Sequence, residues 1–389
     1  MPETSISNPN QSQWPNAQED VIEIAIVGAG LAGLACAQRL QRAGYRVILL
    51  EKSRGLGGRV ATRRLPDTCA DHGLRWLEAQ GPQSQRLVEA LLGRGLEPWT
   101  GQVYQWLDGN LTPTAASPRY VAADGMTVIA KHLGAGLEIW RGQRVTAVSS
   151  SAHGWSLTLE SLEGEGRSLS AQAIVMAIPA PQALTLLQPL AAALESELLD
   201  KLAAVQFNPC ITAIARFSAA ERDWFDAPPW SAVNFPENTG LHWVSIDSTK
   251  GRNLDCPVLV MQSSPAFAEM HLEAADLAPI GNELLQKTAM HLLPGLPSPP
   301  ILQVHRWRYA TVRSPYSQTC LSTNQPAPLV LAGDWCGLKE ITENQNHSIE
   351  QALVSGVAAA EAINTRLSSR TLPEWDYSAP SSAPVPLRF

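Results

Sequence analysis

The stretch IAIVGAGLAGLACAQRLQRAGYRVILLEKSRGLGGRVATRR, residues 24–64, decides the fold of this chain. An apolar run over residues 22–27 leads into Gly28, Gly30 and Gly33, which form the pattern G-x-G-x-x-G. The apolar run is typical of a buried parallel strand, and apolar residues at helical spacing follow the glycines. The pattern predicts a tight turn, a close approach of the backbone to a pyrophosphate, and close packing of helix on strand.

The second half of this stretch completes a dinucleotide-binding unit. Gly44 ends the predicted helix, and a second apolar strand over residues 46–50 leads to Glu51, 18 residues after Gly33. An acid at this distance can accept hydrogen bonds from a ribose. The candidate cofactor-binding residues of this stretch are Gly28, Gly30, Leu31, Gly33, Glu51 and Lys52.

Length and composition predict a globular cytoplasmic protein. The chain has 389 residues, enough for two domains or for one large domain with an insertion. Its net charge of -7 leaves no basic excess for binding nucleic acid, and no apolar stretch is long enough to span a bilayer. The cysteines form no C-x-x-C pair, which argues against a metal site and against a disulfide framework. They are Cys36, Cys69, Cys210, Cys256, Cys320 and Cys336.

The distribution of residue types predicts two interleaved domains. Strand and helix signals cluster in three segments, and most of the Trp and Pro residues lie between them. We predict a cofactor-binding domain from residues 21–64, 120–190 and 327–367, a substrate domain from 65–119 and 191–326, a disordered tail over 1–20 and a flexible tail over 368–389.

A second glycine motif favours FAD over NAD as the cofactor. Gly57, Gly58 and Arg59 resemble the second glycine motif of the large flavoprotein family that includes the amine oxidases. In that family the small residues let the chain pass close to the cofactor, and the arginine can meet its phosphates. We therefore add Gly58 and Arg59 to the candidate cofactor-binding residues.

Two later segments match the same flavoproteins. A predicted hairpin over residues 144–160, with a turn near Gly154, carries Val145 at the position whose backbone meets the adenine. A strand ends at Gly333 and Asp334, the aspartate that contacts the ribityl-phosphate region in that family. The helix that follows, which includes Ser348 and Ile349, would direct its positive N-terminus toward the flavin. With no recognisable covalent attachment motif at any cysteine, we predict non-covalent FAD.

Further motifs resemble the renalase group of FAD-dependent oxidoreductases over nearly all of residues 21–364. They are GGRVATRR (57–64), DHGLRW (71–76), YVAADGMTVIAKHL (120–133), HRWRYA (305–310) and AGDWC (332–336). The resemblance implies an α/β fold with a Rossmann-type FAD-binding domain interleaved with an α+β substrate domain, as in p-hydroxybenzoate hydroxylase-like and amine-oxidase-like folds.

The resemblance also implies FAD contacts at Ala32, Arg75 and Trp76. Arg75 and Trp76 depart from the Gln-Tyr pair that is usual in the group, so a cation is expected near the flavin, where it could alter the redox potential. The polar stretch at 337–348 is longer than in the group, and we expect it to border the flavin.

Candidate catalytic and substrate-binding residues are mostly aromatic or charged. Trp76, Trp243, Trp307 and Trp335 are candidates for an aromatic box over the flavin ring, although tryptophans are often simply core residues. His72 could reach the flavin, and structural histidines are common. For a polar or phosphate-bearing substrate the candidates are Asp247, Arg306 and Arg308, together with Trp243 and Trp307. No lysine lies in a motif that identifies it as the lysine that amine oxidases place near flavin N5.

Three functions follow from these patterns. The resemblance implies an oxidase of misreduced dihydronicotinamides, the 2- or 6-dihydro isomers of NAD(P), which passes electrons to oxygen. The second function is oxidation of a small amine or amino acid, and the third is a flavin-carrying protein with a non-catalytic partner role. The first predicts a small nicotinamide-type molecule as the binding partner.

Overall fold

The computed structural model describes residues 21–337, 345–375 and 377, apart from residues 163, 165 and 254, and only the backbone of residues 345–347. In chain order, its strands are β1 (Ile22–Val27), β2 (Val47–Glu51), β3 (Thr62–Leu65), β4 (Thr68–Asp71), β5 (Glu97–Pro98), β6 (Val103–Leu107), β7 (Asn110–Pro113), β8 (Tyr120–Val121), β9 (Ile139–Arg141), β10 (Gln143–Ser151), β11 (Gly154–Ser161), β12 (Gly166–Met176), β13 (Gln206–Arg216), β14 (Ala232–Asn234), β15 (Leu241–Ile246), β16 (Val258–Ser263), β17 (Ile301–Ser314), β18 (Leu321–Thr323) and β19 (Leu329–Leu331). The α-helices are α1 (Leu31–Arg42), α2 (Pro82–Leu91), α3 (Thr127–Leu133), α4 (Ala180–Leu187), α5 (Ser196–Ala203), α6 (Asp223–Asp226), α7 (Pro265–Met270), α8 (Ala278–Leu292) and α9 (Gln345–Leu367).

The centre of the first sheet is parallel, and residues 22–51 supply two of its strands, β1 and β2. The strands β19, β12, β1, β2 and β9 lie side by side, and each neighbouring pair is parallel. The β10–β11 hairpin extends this sheet through antiparallel pairing with β12, and Ser151 pairs with Gly154 at its turn, as predicted. The predicted strand–turn–helix–strand unit is therefore confirmed.

Both faces of this sheet are buried, because its central strand is apolar on both sides. Ile24 and Ile26 of β1 pack into one hydrophobic core, whereas Ala25 and Val27 pack into another. The helices α1 and α9 cover the first of these faces. They approach closely because α9 carries Gly356, where an added Cβ would lie 2.3 Å from a backbone oxygen of α1.

The second sheet has the order β17-β13-β16-β15-β14-β6-β7 and is antiparallel except for the β14–β6 pair. Its strands come from residues 103–113 and 206–314, whereas the first sheet draws on residues 22–51, 139–176 and 321–331. We propose the predicted division into two domains on this basis, with β18 added to the FAD-binding domain.

The described part of residues 368–389, which is 368–375 and 377, differs from its prediction as a flexible tail. Trp375 and Tyr377 are 4% and 0% exposed and pack into the core beside α1 and α2. Trp375 Nε1 donates to Gln38 Oε1 at 3.2 Å, and the Tyr377 hydroxyl lies 3.1 Å from Gln83 Oε1. The prediction was wrong for this part because two aromatic side chains supply apolar surface that a polar composition does not reveal. Residues 1–20 lie outside the described residues.

Candidate FAD and substrate site

The loop after β1 forms the first wall of a cavity of about 670 Å³. Gly28 has a left-handed φ of +102°, and an added Cβ there would lie 2.5 Å from the oxygen of Ala177. At Gly33 an added Cβ would lie 2.0 Å from the oxygen of Gly28. An added Cβ at Gly30, by contrast, would meet no atom within 4 Å. Gly28 and Gly33 therefore permit tight packing, whereas Gly30 leaves open space in the cavity wall.

The N-terminus of α1 opens onto this space. Gly30 is its N-cap residue, and no side chain of the described residues caps it. The first N–H groups of the helix are left for another acceptor, and the positive end of the helix dipole favours an anion there. Gly30 and Leu31 both line the cavity, so an anionic ligand can reach this helix end.

Glu51 lies at the end of β2, beside the glycine turn. Its side chain is buried, and each carboxylate oxygen accepts one backbone hydrogen bond, from Ala29 at 2.9 Å and from Ser53 at 2.8 Å. A carboxylate has about four acceptor positions, so two remain for a ligand. Glu51 and Lys52 both line the cavity, as a ribose-binding role requires.

The second glycine motif lies next to the first. Gly57 donates to the backbone oxygen of Ala29 at 2.9 Å, and both Gly57 and Gly58 have left-handed φ angles. Arg59 then forms a two-pronged ion pair with Asp334, with nitrogen–oxygen distances of 2.7 and 2.6 Å. Two predicted cofactor residues that are far apart in the sequence are therefore joined in the cavity wall.

The cavity brings together most of the predicted site residues. The predicted residues that line it are Gly28, Gly30, Leu31, Glu51, Lys52, Gly58, Arg59, His72, Arg306, Trp307, Arg308, Asp334, Ser348 and Ile349. The predicted residues that lie outside its wall are Ala32, Gly33, Arg75, Trp76, Val145, Trp243, Asp247, Gly333 and Trp335.

The predicted box of tryptophans does not form. Trp307 lines the cavity, but Trp76 is packed between Trp99 and Trp243, with ring centroids 5.4 and 4.9 Å away. Trp335 is 1% exposed, and its Nε1 donates to a backbone oxygen. Core packing buries the large apolar surface of Trp76 and Trp335, so the assignment of these two rings to the box is corrected.

Two histidines take the place of the missing tryptophans. The ring of His72 lies 4.9 Å from that of His305 and 5.1 Å from that of Trp307, measured between centroids. His305 and Trp307 are 4.3 Å apart, and all three residues line the cavity. Burial lowers the pKa of His72 and of His305 to about 4, with a further contribution from Arg63 to both. Both imidazoles are therefore neutral at pH 7.

The cations of this part of the cavity are arginines. Arg63, Arg306 and Arg308 all line it. Arg63 donates to Gln303 at 2.8 Å, Arg306 donates to two backbone oxygens in the loop after α7, and Arg308 forms an exposed ion pair with Glu273. Among the described residues of the wall the acids are Glu51 and Asp334, and both have the partners given above.

Arg75 lies behind the cavity wall and not in it. Its guanidinium stacks over Trp243 at 4.4 Å, and its Nε donates to Gln262 Oε1 at 2.8 Å. Gln262 lines the cavity, so the expected cation near the flavin is separated from the cavity by this amide. The prediction of direct contact for Arg75 is corrected accordingly.

Asp247 belongs to a buried cluster of four charges. Its carboxylate contacts Lys250 and Arg252, and both cations also contact Asp71. Burial alone would raise the pKa of Asp71, but Lys250 and Arg252 outweigh it and lower this pKa to about 2. Because Asp247 is 0% exposed and already paired, the structure does not support its predicted contact with substrate.

Three of the remaining candidates do not line the cavity. Val145 is buried in the hairpin, Ala32 lies in the first turn of α1, and the N–H of Gly333 donates to Ser355 Oγ at 2.9 Å. Ser348 and Ile349 of α9 do line it. Residues 338–344 of the longer predicted loop lie outside the described residues.

Sequence reasoning missed His305 as part of the site. Residues 305–310 lie on β17, where alternate side chains share a face, so the choice of Trp307 already placed His305 beside it. Arg63, Cys210 and Gln262 also line the cavity. Arg63 lies in the motif GGRVATRR, whereas no local pattern marks the other two.

Comparison with known proteins agrees with this architecture. Residues 26–91 match the NAD(P)-binding Rossmann-like domain, and residues 102–364 match the flavin-containing amine oxidoreductase family. The chain belongs to the flavin-containing amine oxidoreductase family and is an FAD-dependent oxidoreductase.

Within this family the predicted resemblance to renalase is confirmed. Renalase of Mus musculus is 26% identical over 310 residues, which cover 76% of this chain and 86% of that protein. L-amino acid dehydrogenase of Synechocystis sp. is 35% identical over 89 residues, 23% of this chain and 18% of that protein. Cyclohexylamine oxidase from Brevibacterium oxydans IH-35A is 15% identical with a TM-score of 0.62 over 90% of this chain and all of that structure, which confirms the predicted fold. Among the helices of the described ranges, none has the apolar length that a bilayer crossing requires.

Proposed function

We propose that this protein oxidises a misreduced dihydronicotinamide, the 2- or 6-dihydro isomer of NAD(P), to the normal oxidised dinucleotide. The observation that carries the proposal is the composition of the cavity near β17. Aromatic rings of His72, His305 and Trp307 occur there together with the cation of Arg63, which lowers the pKa of both histidines. A flat ring that carries phosphates matches both features.

A simple amine matches this part of the cavity less well. An ammonium ion would lie near arginines, and the wall offers no free carboxylate among its described residues. Lys52 is the lysine of the described wall, and it adjoins Glu51 and not the rings on β17. An amino acid is the stronger alternative, because Arg63 lines the cavity beside the rings and could bind its carboxylate.

The residues present fit FAD. The open space at Gly30 and the free N–H groups of α1 would hold the pyrophosphate, and Glu51 would accept from the adenosine ribose. Arg59 and Asp334 would lie along the ribityl-phosphate region. We assign these contacts from the chemistry of the donors and acceptors in the wall.

When bound, FAD would supply the acceptor for the hydride that the substrate loses. Oxygen would then take up the two electrons and be reduced to hydrogen peroxide. The protein's own contribution is to orient the substrate and to exclude water. The rings of His72, His305 and Trp307 pack against one another and would contact one side of the substrate ring. A dihydronicotinamide carries no proton that must first be removed, so no general base is required.

The test is an anaerobic screen in which loss of the yellow flavin colour reports hydride transfer. The 2- and 6-dihydro isomers of NAD(P)H should bleach the flavin within seconds, with little dependence on pH above about pH 5.5. Ordinary 4-dihydro NADH, monoamines and amino acids should react far more slowly. Amine oxidation should instead accelerate as pH rises, because the ammonium must lose its proton.

Each rival function has its own signature in this screen. If an amine or amino acid bleaches the flavin faster than either isomer, oxidation of that substrate replaces the proposed reaction. If nothing bleaches the flavin, the non-catalytic function is favoured.

A further inference from the structure

Arg63 places a positive charge beside the aromatic rings of the cavity. It lies on β3, lines the cavity and is exposed, so a ligand can reach it. Burial is the main reason for the low pKa of His72 and of His305, and the charge of Arg63 lowers both further. Such an effect on both imidazoles requires the guanidinium to lie near them. The cation and the rings therefore belong to the same end of the cavity.

One hydrogen bond orients the side chain of Arg63. Its Nε donates to Gln303 Oε1 at 2.8 Å. Gln303, His305 and Trp307 occupy alternate positions of β17, so their side chains share one face of that strand. This contact holds the guanidinium on the side of the strand that carries the rings.

The far end of the guanidinium is open. An arginine has five N–H donors, and the bond to Gln303 uses one of them. The terminal nitrogens of Arg63, Nη1 and Nη2, have no hydrogen-bond or ion-pair partner among the described residues. Together they can donate parallel hydrogen bonds to two oxygens of one phosphate.

The other arginines of the described wall are already engaged. Arg59 and Arg308 each form a two-pronged ion pair with a carboxylate. Arg306 donates to two backbone oxygens in the loop after α7. Within the described wall, Arg63 is therefore the arginine that keeps both terminal nitrogens for a ligand.

The main chain next to Arg63 is held firmly. β3 pairs with β4, where Arg63 lies opposite Ala70. Thr62 Oγ1 donates to Asp71 Oδ1 at 2.7 Å and accepts from the N–H of Thr127 at 3.1 Å. Asp71 is itself fixed by the buried charge cluster. A fixed backbone gives Arg63 the rigid support that a recognition residue needs.

We propose that Arg63 binds the phosphate next to the nicotinamide ribose of the substrate, and that this contact selects phosphorylated nicotinamides over the riboside. The inference rests on the proposed function and names the residue and the group that it recognises. In a nicotinamide nucleotide only a ribose separates the ring from this phosphate. The ring can therefore contact the aromatic residues while the phosphate reaches the exposed guanidinium. A mononucleotide already carries the phosphate, whereas the riboside lacks it.

The test uses ligands with the oxidised ring, which has no hydride to give. Nicotinamide mononucleotide and nicotinamide riboside share the ring and the ribose, but only the mononucleotide carries the phosphate. Their dissociation constants for the oxidised holoenzyme are measured from the change in flavin absorbance. The variants are Arg63→Gln, which removes the charge, and Arg63→Lys, which keeps the charge without the two-pronged geometry. Arg64→Gln is the matched control, because this neighbouring arginine is also exposed but does not line the cavity.

In the wild type and in Arg64→Gln, the mononucleotide should bind about tenfold more tightly than the riboside. Arg63→Gln should weaken mononucleotide binding by about tenfold and leave riboside binding unchanged, and Arg63→Lys should give an intermediate value. In turnover, KM for the dihydro isomers of NAD(P)H should rise by about tenfold in Arg63→Gln, with a smaller change in kcat.

Three binding results would overturn the proposal. They are equal binding of the two ligands to the wild type, an equal loss for both ligands in Arg63→Gln, and an unchanged affinity of that variant for the mononucleotide. Weaker binding of FAD in Arg63→Gln would also overturn it, because the arginine would then belong to the cofactor. Failure of the proposed function looks different. In that case the dihydro isomers leave the flavin oxidised, while mononucleotide binding still depends on Arg63.

Discussion

The substitution Glu51→Ala affects two quantities that can be measured separately, the affinity for FAD and the stability of the glycine turn. The carboxylate accepts from the backbone of Ala29 and of Ser53, one bond to each oxygen, and lines the cavity. In Glu51→Ala both backbone N–H groups lose their acceptor whether or not FAD is bound. That part of the loss lowers the stability of the apoprotein and does not change affinity.

The loss of affinity comes from the ribose hydroxyls alone. Leaving buried polar groups of a ligand without an acceptor costs about 1–3 kcal/mol, which corresponds to a rise in Kd of about 5- to 150-fold. Glu51→Gln keeps one acceptor oxygen, so its Kd should fall between those of Glu51→Ala and the wild type. Once FAD is saturating, flavin bleaching should proceed at the wild-type rate, because Glu51 lies beside the glycine turn and not with the rings on β17.

The assay is titration of apoprotein with FAD, followed by the quenching of flavin fluorescence. Glu160→Ala is a matched control, since Glu160 is exposed on β11 and lies outside the cavity wall. An FAD affinity of Glu51→Ala within about twofold of the wild type would refute the assignment of Glu51 to the ribose, because such a change is smaller than the loss of one hydrogen bond.

Three further predictions concern the cofactor, the buried charges and the histidines. Heat or acid should release the yellow colour into solution, since the FAD is expected to be non-covalent; colour that stays with the precipitated protein contradicts this. Asp71→Asn should lower the free energy of unfolding by about 3–5 kcal/mol in urea titrations, because it leaves the buried cations Lys250 and Arg252 with one carboxylate between them, and a loss below about 1 kcal/mol would argue against the cluster. Oxidation of the dihydro isomers should be constant from about pH 5.5 to about pH 8 and fall as pH drops toward 4, where His72 and His305 gain protons; a kcat/KM profile that changes near pH 6.5 would contradict the lowered pKa of these rings.

The sequence alone determined the nucleotide-binding half of this protein, because its signals are local. The alternation of strand, glycines, helix and strand over residues 22–51 depends on neighbours in the chain, and Gly28 and Gly33 each have a backbone reason that other residues do not satisfy. The β10–β11 hairpin and Asp334, three residues after β19, were predictable on the same grounds.

Only the tertiary structure decided which residues form the substrate end of the cavity. Trp76 and Trp307 look alike in sequence, but one packs between two other tryptophans and the other lines the cavity. From the sequence alone, Asp247 could face a substrate. In the structure it is buried, and its charge is paired with Lys250 and Arg252. These outcomes depend on contacts of residues 71–76 with β15, with the turn that follows β15 and with β17, which are far apart in the chain. Local sequence patterns do not show whether the rest of the protein will bury a large or charged side chain or leave it facing a cavity.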